Sequence, residues 1–565
     1  MKSTPNRIIA LALLCAGAVQ ASEYVYYPTA PSGGNFQIDS TSWLVDGGET
    51  PQVGSPAGSG NTMTFSDLSF EANEGNNINI WTSAAAFELA EIKVSASSGT
   101  AALYNFNGDN STPSNAWNIS SVNMGGGANL TIRNWAGKTD AENNLATLSI
   151  DSINPAAGNF SVFNVQDINA GSVSEIASGA TLSLKAKGNL LVESNLSNSG
   201  SLTLQADTLA LGELSNSLGT ASLSATGTAN LQKLSILDGT VYLNNSTSSF
   251  DIGEAVMKGG VMNINASGGG STNFEKLTIE SGPLYLSGSA LVGGSANMRV
   301  GELNMTGGYL IVSRENVANS YVEIGGLSGA GGQITTWNNE NEGTSATVIF
   351  NSDGGNYTAS GVKFADNFQA NGATSVMSIV KEGTSRQVLS FAQNSISGSV
   401  DVKNGTLLLN NASKLTSVTL NGGMFGSAGQ KLQISKLNLN GGKLLFDFSL
   451  AQNESSLELA FDSASDFSDT VTESDFAFSA INGKFKYLLI SFADSSMSSK
   501  LQEIVDSDAN GKYLFTDAAT AESFYATFSA ENGVLYVSFA AVPEPAAYAA
   551  ALGLAALLWA LRRRK

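Results

Sequence analysis

Short strings of alternating apolar and polar residues, separated by glycine-containing turns, run through most of the chain. Leucines alternate with Ser or Thr in Thr181–Leu184 and Ser201–Leu204, and with Asn in Leu437–Leu439. A period of two predicts β-strands that bury one face and expose the other. Glycines are expected at corners that need a positive φ angle or a close approach of two backbones. Asn residues beside them suit the same corners and could form ladders between coils.

The strand–turn–strand unit recurs from about residue 141 to 445. Neighbouring units are spaced by about 18 to 26 residues, which fits one coil of a parallel β-helix. Each coil can bury its inward face only by stacking on the next. The pattern therefore predicts an all-β protein whose middle segment, 141–445, is a parallel β-helix (β-solenoid). The turns that define the period contain the following glycines: Gly239, Gly259, Gly260, Gly282, Gly307, Gly308, Gly405, Gly422, Gly423, Gly441 and Gly442.

The two flanking segments differ in composition from this middle part. Residues 22–140 carry four of the six tryptophans, at Trp43, Trp81, Trp117 and Trp135. Bulky aromatic residues can close the open apolar end of a solenoid, so we expect an N-terminal cap and first coils there. Residues 446–540 are rich in Phe and acidic residues and lose the Gly-Gly corners. We expect a β-rich C-terminal domain with strands at 484–492 and 534–539 and a short helix at 498–505.

One segment resembles a known repeat. It consists of Ile379–Gly383, Val388–Ser390, Ile396–Val402 and Gly405–Leu409. This order of a Lys-x-Gly start, a Leu-rich strand, a Ser-Gly corner and a Gly-Thr-Leu strand resembles the autotransporter-associated β-strand repeat, so 379–409 is interpreted as one coil of that type. Ser385–Gln387 depart from the small residues usual there. The opening segment around Trp43 similarly resembles the start of β-helical autotransporter passengers.

The segment 542–565 combines three features in a fixed order. Pro543, Glu544 and Pro545 form an extended, exposed tripeptide, because proline disfavours the helix interior. An apolar run at 546–561 follows, slightly shorter than the ~20 residues that span a bilayer core. A basic cluster ends it: Arg562, Arg563, Arg564 and Lys565. The pattern predicts a single C-terminal transmembrane helix at 546–561 with a cytoplasmic basic end.

This segment resembles a PEP-CTERM sorting signal. The resemblance implies that an exosortase, a membrane protease-transpeptidase, processes the chain at Pro543–Pro545. The N-terminus agrees with export, because Lys2 and Arg7 precede an apolar stretch and Ala21 completes a small-residue cleavage site. We therefore expect a signal peptide at 1–21, passage through the Sec translocon, and transient anchoring in the inner membrane.

Charge and composition exclude several function classes. The formal net charge is −20, which repels phosphate backbones and argues against a nucleic-acid partner. Histidine is absent, which removes histidine acid-base catalysis and the commonest zinc and copper sites. The only cysteine, Cys15, lies in the predicted signal peptide, so no disulfide is expected in the mature protein.

An acidic loop near the C-terminus has the spacing of a calcium site. Counting Asp506 as position 1 places Asp508, Asn510 and Asp517 at positions 3, 5 and 12, with glycine at position 6. Asp517 is shorter than the bidentate Glu usual at position 12. Weak calcium binding and a plain acidic surface turn are both open at this point, and no other cofactor is expected.

The expected function is that of an exported, non-enzymatic surface or extracellular-matrix protein that adheres to exopolysaccharide or host glycans. The alternative is a polysaccharide-active enzyme, a lyase or a glycoside hydrolase, on the same scaffold. Such an enzyme could use acidic pairs such as Asp462 with Asp466, or Glu340 with Glu342, because glycoside hydrolysis employs two carboxylates. An enzyme should bring charged side chains together in one cleft, whereas a structural stalk should present even polar faces.

Overall fold

The structure is a computed structural model. It divides into two compact units, 1–212 and 213–565. The residues that it describes are 22–26, 34–37, 42–45, 52–53, 58–65, 77–82, 86–105, 115–134, 145–245, 249–265, 270–287, 291–292, 295–296, 298–313, 319–337, 343–368, 374–462, 471–483, 485–493, 498–506, 513–517, 519–542 and 545–563.

The first unit is built from β-strands. They are β1 Glu23–Tyr26, β2 Gly34–Gln37, β3 Ser42–Val45, β4 Gln52–Val53, β5 Gly58–Phe65, β6 Asn77–Thr82, β7 Ala86–Val94, β8 Thr100–Asn105, β9 Asn115–Met124, β10 Asn129–Asn134, β11 Leu145–Asn154, β12 Asn159–Val165, β13 Asp167–Val173, β14 Thr181–Ala186, β15 Asn189–Val192, β16 Leu196–Asn198 and β17, which starts here and spans Ser201–Asn216.

These strands form two parallel ladders. One runs β5–β7–β9–β11–β13–β15–β17, and the other runs β6–β8–β10–β12–β14–β17. Each coil contributes one strand to each ladder, and β17 contributes to both. At the start of the unit β1 pairs antiparallel with β3, which pairs antiparallel with β4. Trp117 lies in the core of this unit and packs on Phe87, with ring centroids 5.0 Å apart.

The second unit contains the remaining described strands and the two α-helices that the structure describes. The strands are β18 Thr220–Ile236, β19 Thr240–Asn245, β20 Ser249–Met257, β21 Val261–Asn265, β22 Ser271–Ile279, β23 Pro283–Ser287, β24 Leu291–Val292, β25 Ser295–Ala296, β26 Met298–Ile311, β27 Asn319–Thr335, β28 Ser345–Phe350, β29 Asn356–Ala359, β30 Lys363–Ala365, β31 Val376–Lys381, β32 Arg386–Leu389, β33 Ser399–Val402, β34 Thr406–Leu409, β35 Ser417–Ser427, β36 Leu432–Ile434, β37 Leu437–Asp447, β38 Leu459–Phe461, β39 Phe476–Ser479, β40 Lys486–Phe492, β41 Tyr513–Thr516, β42 Ser523–Glu531 and β43 Val534–Ala541. The helices are α1 Ser498–Asp506 and α2 Pro545–Arg562, with 3₁₀ turns at Phe448–Leu450 and Glu473–Asp475.

Two parallel ladders again organise this unit up to β39. One runs β18–β20–β22–β26–β27–β28–β31–β33–β35–β37, and the other runs β18–β19–β21–β23–β26–β27–β29–β32–β34–β35–β37–β39. Paired residues are 18 apart at Thr406 and Met424 and 26 apart at Leu284 and Leu310, which matches the predicted spacing, whereas Ser345 and Val376 are 31 apart. Each unit is therefore all-β with stacked parallel coils, as expected for a β-solenoid.

The inward positions follow the alternation in the sequence. Leu182, Leu184, Leu202 and Leu204 are fully buried between the ladders. Leu437 is also buried, whereas Leu439 is half-buried. Because successive side chains point to opposite faces of a strand, the Ser, Thr and Asn residues between these leucines lie outward.

Glycine and asparagine occupy the corners for the predicted reasons. Gly260 has φ +62°, and a Cβ there would lie 2.5 Å from the carbonyl oxygen of Gly239 in the preceding coil. Gly423 has φ +66°, and a Cβ there would lie 2.6 Å from the carbonyl oxygen of Gly405. A side chain at either position would be strained and would push the coils apart. Asparagine side chains form the expected ladders, as Asn440 shows by donating to Asn421.

The segment 379–409 corrects one interpretation, because it forms two coils and not one. β31 pairs with β33, and β32 pairs with β34, about 20 residues further along the chain. The lysine of the repeat's Lys-x-Gly start, Lys381, is completely buried. Its ammonium group donates to the carbonyl oxygen of Gly383. Burial lowers the pKa of Lys381 to about 8, although the nearby charge of Asp353 acts in the opposite direction.

The C-terminal part of the second unit carries a separate six-stranded sheet, in the order β36–β38–β40–β43–β42–β41. β36, β38 and β40 are parallel, and the other pairings are antiparallel. α1 packs against β42 through Leu501 and Ile504. The strands β40 and β43 and the helix α1 lie where the sequence predicts them. The buried aromatic residues include Phe446, Phe448, Phe461, Phe476, Phe478, Tyr487, Phe492, Phe528 and Phe539.

The C-terminal helix α2 follows this sheet. Its side chains from Leu552 onward are exposed, including Leu554, Leu558 and Trp559. Within the part of the chain whose side chains the structure describes, no helix has the length and apolar character needed to cross a membrane. The transmembrane role of residues 546–561 stays a prediction.

Candidate functional site

The predicted sorting residues are only partly described. Pro545 is the first residue of α2, and Arg562 lies in its last turn. The guanidinium group of Arg563 lies 3.9 Å from the centroid of the Trp559 ring. Ala21, Pro543, Glu544, Arg564 and Lys565 lie outside the described residues. Sorting and signal cleavage at these positions stay predictions.

The predicted calcium loop is likewise described only at its two ends. Asp508 and Asn510 lie outside the described residues. Asp506 ends α1 and accepts a hydrogen bond of 2.8 Å from Gln502. Asp517 is buried, and its oxygens already accept hydrogen bonds from the backbone. Calcium binding stays a prediction, and an ion there would compete with those donors for the Asp517 carboxylate.

The Asp517 carboxylate connects two loops. One oxygen accepts from the backbone N–H groups of Ala480, Ala519 and Thr520, at 3.1, 2.7 and 3.1 Å. The other accepts from the N–H of Ile481 at 2.6 Å. Burial would raise the pKa of Asp517, but these four N–H groups stabilise the charged form and hold the pKa below its ordinary value. The carboxylate thus fixes the loop at Ala480, whose φ is +54°.

That loop forms one wall of a cleft of about 390 Å³. The turn after the 3₁₀ segment, from Ala451 to Glu454, also lines the cleft, together with Phe448 and Tyr487. The volume lies within the range of ~300–1,000 Å³ that is typical of small-ligand sites. The lining residues are Phe448, Ala451, Gln452, Asn453, Glu454, Ala480, Asn482, Phe485 and Tyr487.

Three aromatic residues line the cleft: Phe448, Phe485 and Tyr487. Phe448 and Tyr487 stack with centroids 4.0 Å apart and planes 25° apart. Phe485 meets Tyr487 edge-on at 5.9 Å and is 43% exposed, unlike the buried aromatic residues of the neighbouring core. Burial raises the pKa of Tyr487, and the negative charge of Glu454 raises it further. The cleft is also lined by three amide residues, Gln452, Asn453 and Asn482, and by one acidic residue, Glu454.

Hydrogen bonds fix the turn at 451–454. Asp447 caps the 3₁₀ segment by accepting from the N–H of Ser449, and it forms an ion pair with Arg386 at 2.7 Å. The side-chain oxygen of Asn453 accepts from the N–H and the hydroxyl group of Ser455. The carbonyl oxygen of Glu454 accepts from the N–H of Leu488 at 2.8 Å. The cleft is therefore preformed on both sides.

The structure does not test the acidic pairs considered for an enzyme, because it describes only one of their four residues. Asp462 forms an exposed ion pair with Lys414. Asp466, Glu340 and Glu342 lie outside the described residues. In contrast, the outer faces of the coils carry polar ladders, in which Asn440 donates to Asn421 and Asn421 donates to Asp401, each at 2.9 Å.

Comparisons with known proteins add no relative. No family model matches the chain, and no curated protein and no solved structure was found to be similar to it. The fold defines the class, an all-β protein of stacked parallel coils with a smaller C-terminal sheet. The resemblances to a PEP-CTERM signal and to the autotransporter-associated repeat stay predictions.

Sequence reasoning did not identify the cleft. Its residues come from a turn, a loop and the start of a strand, and only the fold brings these together. A signal was nevertheless present, because Phe485 and Tyr487 are two residues apart and flank a lysine, which is typical of a strand that presents aromatic rings on one face. The enrichment in aromatic residues alone predicts only the core of a capping domain.

Proposed function

We propose that the protein is an exported, non-enzymatic structural or adhesin-like protein of the bacterial surface or extracellular matrix, associated with exopolysaccharide and sorted by an exosortase. The observation that carries the proposal is the exposure of α2. Apolar side chains such as Leu552, Leu557 and Trp559 are 57–70% exposed, directly after a well-packed sheet. Exposed apolar surface of this kind is a liability in a finished soluble protein. It suits a segment that is removed during delivery.

In this proposal the Sec translocon exports the chain and the residues 546–561 act as a temporary stop at the inner membrane. The exosortase then cleaves near Pro543–Pro545 and releases the β-rich part. The even polar ladders on the coils support a structural role, because they offer weak, repeated contacts and no single reactive centre.

A non-enzymatic role is further supported by the composition of the cleft. The chain has no histidine, and the described lining of the cleft contains one carboxylate, Glu454. Glycoside hydrolases use two carboxylates on opposite sides of the scissile bond. Sustained turnover of any polysaccharide by the purified protein would contradict this part of the proposal.

The sorting step is tested by replacing Pro543, Glu544 and Pro545 together with alanine in a bacterium that has an exosortase. The variant should accumulate as full-length protein in the inner-membrane fraction, while the wild type reaches the cell surface or the medium. Val542→Ala, immediately before the tripeptide, serves as the matched control and should be sorted normally. Normal release of the triple variant would refute exosortase sorting.

A further inference from the structure

We infer that the cleft between Ala451–Glu454 and Ala480–Asn482 binds a sugar unit of a neutral polysaccharide. The inference rests on the proposed association with exopolysaccharide and assigns it to one place in the fold. It combines three observations about the residues that line the cleft: an exposed aromatic ring at Phe485, amide side chains, and a single carboxylate at Glu454.

The aromatic part matches the apolar face of a sugar ring. Pyranose rings present a patch of C–H groups on one face, and these pack on aromatic rings. Phe485 is 43% exposed, although the aromatic residues of the adjoining core, including Phe448 and Tyr487, are almost completely buried. Leaving a phenyl ring in water forgoes the stabilisation that its burial would give. A ligand that covers Phe485 would recover it.

The polar part matches the hydroxyl groups around the edge of a sugar. A hydroxyl both donates and accepts hydrogen bonds, and so do the amide side chains of Gln452 and Asn453. The Glu454 carboxylate adds a strong acceptor, because charge-assisted hydrogen bonds are about twice as strong as neutral ones. These residues line the same cleft as Phe485, so a sugar that packs on Phe485 can form hydrogen bonds with them.

Rigidity favours binding, because a preformed site loses little entropy when a ligand arrives. The turn at 451–454 is held through Asp447 and Leu488, and the loop at 480–481 is held by Asp517. Both walls are thus fixed by hydrogen bonds that the ligand does not need to form.

Charge selects the class of sugar. Glu454 and the net charge of −20 disfavour uronic acids and sulfated sugars. Lys486, which lies between Phe485 and Tyr487 on the chain, is already paired with Glu531 at 2.8 Å and lies over the ring of Tyr536. Neutral hexose or N-acetylhexosamine units therefore fit the cleft better than acidic ones.

The test uses the purified full chain and saturation-transfer NMR with hexasaccharides of glucose, galactose, N-acetylglucosamine and galacturonic acid. At least one neutral hexasaccharide should bind, and galacturonate should bind at least ten times more weakly. Phe485→Ala should weaken the neutral complex at least tenfold. Glu454→Gln should reduce the difference in affinity between neutral and acidic sugars. A merely structural role of Glu454 would leave this difference unchanged.

Tyr242→Ala is the matched control, because Tyr242 is similarly exposed, at 37%, but lies on β19 outside the cleft. It should bind like the wild type. The inference is overturned if no neutral sugar binds, or if Phe485→Ala and Tyr242→Ala bind equally well. If the protein binds sugar but is not sorted normally, the inference about the cleft stands and the sorting step is refuted. If it is sorted normally but binds no sugar, the inference is refuted and the sorting step stands.

Discussion

Replacing Asp517 with asparagine should loosen the C-terminal sheet where it supports the cleft. The side chain keeps its shape but loses its charge and one acceptor oxygen. At present its two oxygens accept four backbone N–H groups, and the shortest of these bonds, 2.6 Å, comes from Ile481. In the variant an N–H₂ group replaces one of the two oxygens. In one orientation it faces the N–H of Ile481, so that two donors meet. In the other orientation the three N–H groups on the other side lose their acceptor.

The magnitude follows from these contacts. A buried donor left without a partner costs about 1–3 kcal/mol. The remaining bonds also weaken, because an uncharged oxygen is about half as strong an acceptor. Together these effects should lower the free energy of local opening by about 3 kcal/mol, which corresponds to roughly a hundredfold increase in the population of the open state. Ala480 adds to the effect, since its left-handed backbone is held in place by the same carboxylate.

Hydrogen–deuterium exchange with mass spectrometry measures this opening directly. Peptides that cover 476–492 and 513–531 should exchange roughly a hundred times faster in Asp517→Asn than in the wild type. Asp506→Asn is the control, because Asp506 is exposed and accepts from Gln502 on the surface of α1. Equal exchange in the two variants would refute the structural role of Asp517.

The pH dependence has a defined sign. The pKa of Asp517 is lower in the folded protein than its ordinary value of 3.8, so the folded state favours the charged carboxylate. The Asp517 carboxylate contributes fully to the stability of the folded state at pH values above the ordinary pKa. This contribution is lost as the pH falls through the lowered pKa. Asp517→Asn should therefore remove part of the acid sensitivity of the C-terminal sheet.

Three further predictions follow from the same structure. Gly260→Ala should lower the free energy of unfolding, measured by urea denaturation, by about 2–4 kcal/mol, because Gly260 combines a positive φ with a close carbonyl oxygen. Gly354→Ala is the control and should show a smaller loss, because φ is positive there but no other atom lies close. Burial lowers the pKa of Lys381 from 10.5 to about 8, so the free energy of unfolding of the wild type should rise with pH across this range relative to that of Lys381→Met; identical pH profiles of the two proteins would contradict the buried lysine. Ala480→Gly should slow exchange in the 476–492 peptide by relieving the left-handed backbone, and faster exchange would argue against strain there.

The local pattern of the sequence predicted much of the fold. Alternation placed Leu182 and Leu204 inside, because a strand has only two faces. The corners were predictable at Gly260 and Gly423, since few residues tolerate a positive φ beside another backbone. These features depend on neighbours in the sequence or on a simple repeat, which one chain is enough to reveal.

Features that depend on distant contacts were not predictable. Lysine is ordinarily a surface residue, but Lys381 is buried between the coils of Phe350 and Val402, which pair with it from 31 and 21 residues away. Asp517 occupies a calcium-ligand position in a local motif, whereas its donors at Ala480 and Ile481 lie 37 and 36 residues away. The cleft likewise exists only because the C-terminal sheet brings Phe485 beside the turn at Glu454.

The mass of the mature C-terminus tests the central claim most directly. The protein should be isolated from the surface or medium of a bacterium that has an exosortase, and its C-terminal peptide should be identified by mass spectrometry. The account predicts a chain that ends near Pro543–Pro545 and lacks α2. A mature protein that still carries α2 and ends at Lys565 would contradict it.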